Sequence, residues 1–319
     1  MGRLGLPPAE TPNPERVAAH MARPLGGKVL VTTPSGHWTV LEESDYRRYL
    51  KGGVSNEEAL GAELRKKGLF RDYQDFAGQG RSVASREGLA AKGPSAHAVY
   101  LKETGLRLAA KTAMRVVDFI FECPSPDIAI SLHGGPDPVL VKLITRYAEL
   151  KNGLHKRRLS VMDCDVLLEL DDAKLEEILA ARVVDPEQPR PAGTGVLGGF
   201  VYGPDGSVYA GSGGELPQGS DADLFRIATA GECSYAEALE HPALRAFLLA
   251  ESPLAQPMCS QCVYAPYCPV LPGLNFRTQG SPFGHMPTNG RCVRLMGLFD
   301  RVFARLQCTS SATLAIFTT

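Results

Sequence analysis

Three cysteines spaced CxxCxxxxxC (Cys259, Cys262 and Cys268), with Cys292 following across a 23-residue loop, restrict the fold of this chain more than any other feature. The fold around them has to bring four sulfurs together. A CxxC turn points two side chains to the same side, and Pro269 directly after Cys268 stiffens the exit by removing a backbone donor. Thiolates are soft ligands, so a centre built only of sulfur donors selects zinc or iron–sulfur. Zinc ribbons use two CxxC knuckles, whereas this chain has one such pair, a staggered third cysteine and a remote fourth. Cluster sites tolerate uneven spacing. The residues therefore predict a metal site at Cys259, Cys262, Cys268 and Cys292 that holds an iron–sulfur cluster, with zinc and then unliganded thiols as the alternatives.

The other four cysteines, Cys123, Cys164, Cys233 and Cys308, lie far apart in a chain of 319 residues with no export signal. That excludes a disulfide framework of the small secreted kind. Cys123 and Cys164 read as buried free thiols, which behave as small apolar residues. With 34 basic against 35 acidic residues, no charge excess calls for nucleic acid or an anionic membrane. No apolar run approaches the length of a membrane span, and a soluble, cytoplasmic protein is expected.

Local patterns predict an α/β chain in three parts. Residues 1–80 carry two β-rich runs, KVLVTT and HWTVL, about a PSG turn, then helices begun by Ser44 and by a Ser55–Glu58 capping box. This is a small β-hairpin and helix module, and KVLVTT is a candidate edge for a peptide strand. Residues 81–190 hold a polar linker, a helix through LRLAAKTAMRVVDFIFECP, and two strand-then-helix units, DIAISLH and RLSVMDC each with its helix. Such alternation implies a parallel sheet, but two units cannot close a barrel. Pro-rich DPEQPRPAGTG marks a boundary; residues 191–308 follow with a GGFVYGPDGSVYA hairpin turning at Asp205–Gly206, a helix broken near Pro242 and the cysteine segment, and 309–319 form a tail.

CSQCVYAPYC with its distal cysteine, the PDGSVY hairpin and FRIATAGECSYAEAL resemble the SPASM domain of radical S-adenosylmethionine peptide maturases. The likeness is closer to the B-type maturase of the His-Xaa-Ser system. It extends to GKVLVTTPSGHWTVLEESDYRRYL at one end and to DFIFECPSPDIAISLHGG in the middle. The resemblance implies that Cys259, Cys262, Cys268 and Cys292 ligate one auxiliary [4Fe–4S] cluster. It also implies a ribosomally made peptide or its leader as partner, and companion maturase proteins. Ala210 and Pro272 stand where many members place cysteines of a second cluster.

The chain departs from that family at the reactive end. No CxxxCxxC occurs anywhere, so the cluster that binds S-adenosylmethionine lacks its ligands. Gly134, Gly135 and Asp137 form a degenerate version of the turn that meets the S-adenosylmethionine amine, with Pro136 inserted. Too few residues remain for a six-unit partial barrel. The expectation is an incomplete barrel and a cluster-binding homologue without radical activity, the alternative being a zinc-stabilised peptide- or partner-binding module. His133, His285 and the basic HKRRL run read as loop or solvated residues.

Overall fold

The computed structural model describes residues 12–77, 92–103, 105–135, 137–163, 172–184, 199–210, 216–217 and 222–307. Strands β1 (Met21–Leu25), β2 (Lys28–Thr32) and β3 (Trp38–Glu42) form an antiparallel sheet, followed by helices α1 (Glu43–Leu50) and α2 (Ala59–Lys66). Val29, Val31, Tyr49, Leu64 and Leu69 fill its core. The N-cap of α1 is Glu42, so Ser44 lies inside the helix rather than starting it. The capping pair of Ser55 and Glu58 forms one turn early: the Ser55 amide donates to Glu58 Oε1 at 2.6 Å, and the helix begins at Ala59.

The sequence pattern missed β1, and this corrects the expected docking edge. With β1 on one side and β3 on the other, the KVLVT strand is central and has no free edge. β1 escaped notice because Pro24 interrupts its apolar pattern, and a proline is tolerated there only on an outer strand.

The second layer begins with β4 (Ala96–Tyr100) and the short hairpin of β5 (Lys102–Glu103) and β6 (Leu106–Arg107). Helix α3 (Ala110–Phe121) follows, then β7 (Asp127–His133), helix α4 (Pro138–His155) and β8 (Arg158–Asp163). Strands β4, β7 and β8 pair in parallel, as the strand–helix alternation predicts. Asp137 caps α4, its side chain accepting from the Leu140 amide at 3.2 Å, and Pro138 occupies the first helical position. Ala113, Val116, Val117, Ile120, Leu140 and Ile144 pack the two helices on one sheet face.

His97 of β4 is buried within that core, and its Nδ1 shares a 2.9 Å hydrogen bond with the Tyr202 hydroxyl. Among the described residues its Nε2 has no partner. Burial holds this ring far below its ordinary 6.5, at about 3. Below pH 6.5 the unfolded chain therefore takes up a proton that the folded chain refuses, and stability falls as pH drops from 6.5 towards 3. The loss reaches about 2 kcal/mol at pH 5. His97→Gln is expected to remove that share of the acid sensitivity, read as urea midpoints of both proteins at pH 7 and pH 5. An unchanged difference between the two pH values would show that His97 titrates normally.

Helix α5 (Asp172–Val184) does not return to the sheet. Leu179, Ala180 and Val183 pack instead in a separate core with Leu25, Leu295, Leu298 and Phe299. The second strand–helix unit is thus a unit in sequence only. Strands β9 (Phe200–Tyr202) and β10 (Ser207–Ala210) form the expected hairpin, and β11 (Arg226–Thr229), unpredicted, pairs with β10. Because β9 also pairs in parallel with β4, the result is one open, mixed sheet in the order β11-β10-β9-β4-β7-β8. One sheet therefore draws strands from both sides of the Pro-rich segment 185–195.

Helices α6 (Tyr235–Glu240) and α7 (Pro242–Glu251) break at His241–Pro242 as predicted, and a capping box of Ser234 and Glu237 starts the first. Helices α8 (Pro272–Gln279) and α9 (Gly290–Gln307) complete the described chain. Among the described residues no helix is long and apolar enough to cross a membrane.

Candidate metal centre

Cys259 opens a single 3-10 turn, entered through Met258 in the left-handed region at φ 69°. The Cys262 amide donates to the Cys259 carbonyl at 3.0 Å, which closes the CxxC turn. A second tight turn follows, in which the amides of Tyr267 and Cys268 both donate to the Tyr264 carbonyl. Cys292 lies in the first turn of α9, where its amide donates to Asn289 Oδ1 at 3.1 Å. Asn289 in turn donates to Asn275 Oδ1 at 2.9 Å, so a buried amide pair ties the start of α9 to α8.

The cysteine loop is clamped between α9 and the N-terminal sheet. Tyr264 stacks on Phe299 with ring centroids 5.0 Å apart, and its hydroxyl donates to the Asp300 carboxylate. Arg23 of β1 pairs with the same carboxylate at 3.2 Å and lies over the Tyr264 ring. The Thr32 hydroxyl donates to the Val263 carbonyl at 2.8 Å, and the Tyr267 hydroxyl to the Gly36 carbonyl at 2.6 Å. The N-terminal module is thus part of the wall behind the cysteines.

All four sulfur-bearing residues line one cavity of about 40 Å³, closed by Leu271, Leu295, Met296 and Phe299. Among the described residues no carboxylate or imidazole lines it. Burial pushes every thiol up: Cys259 reaches about 12, raised further by Cys262 and Cys292, and Cys268 also reaches about 12, with Arg291 pulling against burial. Cys262 and Cys292 move the same way, again chiefly through burial. Arg23 opposes the shift at Cys262 and Cys292, and Arg291 opposes it at Cys268 and Cys292. Four half-buried thiols, with two guanidiniums acting on them, are a donor set that ionises when a cation replaces the protons.

Among the described residues, no three His, Cys, Asp or Glu side chains converge closely enough to grip a single ion. The four cysteines share the lining of one cavity instead, and an all-sulfur donor set suits zinc or an iron–sulfur cluster.

The other expected site residues are dispersed. Gly134 and Gly135 take φ of +99° and +93° after β7, and a Cβ on Gly134 would stand 2.5 Å from the Lys102 carbonyl oxygen, so glycine is required there. Asp137 is committed to its own helix and to Arg107, whose Nε donates to it at 2.7 Å. Together the α4 amide and Arg107 hold its carboxyl below the usual carboxylate range. His133 stacks on Tyr100 and bonds Ser131 Oγ at 2.9 Å through Nε2. His285 lies outside the thiol cavity, bonded to the Thr288 hydroxyl at 2.9 Å. Ala210 is buried at the end of β10, and Pro272 begins α8. Cys123 is buried and free, as expected; Cys164 and Cys308 lie outside the described residues.

Sequence reasoning missed Arg23, Asn289 and Arg291. Asn289 carried a signal, an asparagine three residues before a cysteine at the start of an amphipathic run. Arg23 carried none, being remote from every cysteine in sequence. Fold and site together define a mixed α/β protein with one cavity lined by four half-buried cysteines. Comparison with known proteins finds no matching family model and no matching curated protein.

Proposed function

We propose that Cys259, Cys262, Cys268 and Cys292 hold one [4Fe–4S] cluster, and that the chain is a relative of the SPASM-type radical S-adenosylmethionine maturases of the His-Xaa-Ser system that lacks their radical step. The observation that carries this reading is the single cavity lined by all four cysteines and, among the described residues, by no other ionisable group except Arg291 and Tyr264. Bound there, such a cluster supplies one-electron chemistry or structural cross-linking. Arg23 and Arg291 offset the negative charge of a thiolate-ligated centre, and the surrounding apolar side chains limit its contact with water.

The absence of radical activity rests on the sequence, which has no CxxxCxxC, and on Asp137. Its carboxylate caps α4 and pairs with Arg107, so it is not free to receive an amine at the Gly134–Gly135 turn. The surviving role is binding of a peptide or a companion protein. S-adenosylmethionine is not turned over.

Anaerobic reconstitution with ferrous iron and sulfide tests the centre. The expected product is brown, absorbs broadly near roughly 400 nm and carries about four irons per chain. One tightly held zinc with no visible absorption would assign the site to a zinc-stabilised binding module instead. Incubating the reduced, reconstituted protein with S-adenosylmethionine is expected to release no 5′-deoxyadenosine.

A further inference from the structure

Strand β8 ends the six-stranded sheet, and among the described residues no strand pairs with its outer edge. A free edge is a template for another strand, and proteins normally cover or blunt it. Here Leu159 and Val161 face the helical layer half-buried, while Ser160 and Met162 are exposed on the opposite face. Arg157 precedes the strand and Asp163 ends it. Among the described residues Arg157 has no carboxylate partner and Asp163 no ion pair; the Arg157 guanidinium donates to the Cys123 carbonyl and meets His155.

We propose that β8 pairs antiparallel with β8 of a second copy of this chain across a two-fold axis. An edge-to-edge antiparallel pair of identical sheets requires that axis to stand perpendicular to the sheet, which leaves both helical layers on the same side. Directly opposed side chains must then share a face, so odd residues meet odd and even meet even. Centred on Ser160, the pairing sets Leu159 against Val161 of the second copy and Arg157 against Asp163 of the second copy, each twice. Shifted one residue either way, it opposes Leu159 to Asp163, or Arg157 to Val161. Only the Ser160 register joins apolar to apolar and cation to anion. The open cleft of about 460 Å³ beside this edge carries both signs, with Lys142, Arg146, Glu149 and Asp163, a composition suited to meeting its own copy.

The inference does not depend on what fills the thiol cavity. Sedimentation of the full chain over a concentration series is expected to show a dimer. Asp163→Arg, which sets like charges opposite each other twice, is expected to weaken it by roughly tenfold or more, and Val161→Lys likewise. Circular dichroism and thermal unfolding of both variants check that they remain folded. Residues opposed across an antiparallel pair stand about 4.5–5.5 Å apart at Cα, within disulfide reach. Ser160→Cys is therefore expected to give a linked dimer on mild oxidation, above the wild-type background, and Met162→Cys is not. A monomeric wild-type chain at tens of micromolar overturns the proposal. So does a dimer that the two folded charge variants leave intact, or equal cross-linking at positions 160 and 162.

Discussion

Replacing Cys268 with alanine is expected to leave the reconstituted protein with less than about a tenth of the wild-type iron. Even substitutions around a metal site, short of its ligands, cost about 10–100-fold in affinity. Cys268 is the strongest choice because its thiol is pushed up to about 12 by burial, with Arg291 pulling against that shift. Its amide is also fixed by the Tyr264 carbonyl at 2.9 Å, so the loop keeps its path when the sulfur is removed. The loss is read as iron and sulfide per chain and as the absorption change, beside a Cys233→Ala control, whose thiol does not line the cavity. Retention of full iron by Cys268→Ala would remove the four-thiol assignment.

Phe299→Ala is expected to destabilise the protein by about 3–5 kcal/mol, the usual cost of emptying a large aromatic site. Phe299 is fully buried, stacks on Tyr264 at 5.0 Å and approaches Tyr267 at 6.4 Å. It also lines the thiol cavity, so its loss frees the loop that carries Cys262 and Cys268. Chemical denaturation gives the stability change, and reconstitution is expected to fall with it. A cost below about 1 kcal/mol would mean that the surrounding side chains collapse into the space and that the loop is held chiefly by its hydrogen bonds to the N-terminal sheet.

Much of the secondary structure was legible because its causes are local. β7 falls on DIAISLH as read, β8 follows RLSVMD over its described residues, and the break at Pro242 is where a missing amide must place it. Helix α3 was found by its apolar spacing, and Ala113, Val116, Val117, Phe119, Ile120 and Phe121 are its buried residues. Strands β1 and β11 were not legible. Each is short, and each exists as a strand only because a partner supplies its hydrogen bonds.

The sequence by itself determined the spacing of the four clustered cysteines, the missing CxxxCxxC, the parallel pairing of β7 with β8 and the hairpin at Asp205–Gly206. All of these follow from spacing and from turn chemistry within a few residues. Only the tertiary structure decided that α5 packs on α9 rather than on its own sheet, that β2 is a central strand, and that Arg23 reaches Asp300 beside the thiols. Those outcomes depend on which apolar faces meet, and a face's partner is chosen by shape and buried area over the whole chain. Residues 23 and 300 carry no mutual signal in one sequence; the packing of Tyr264 on Phe299 brings them together.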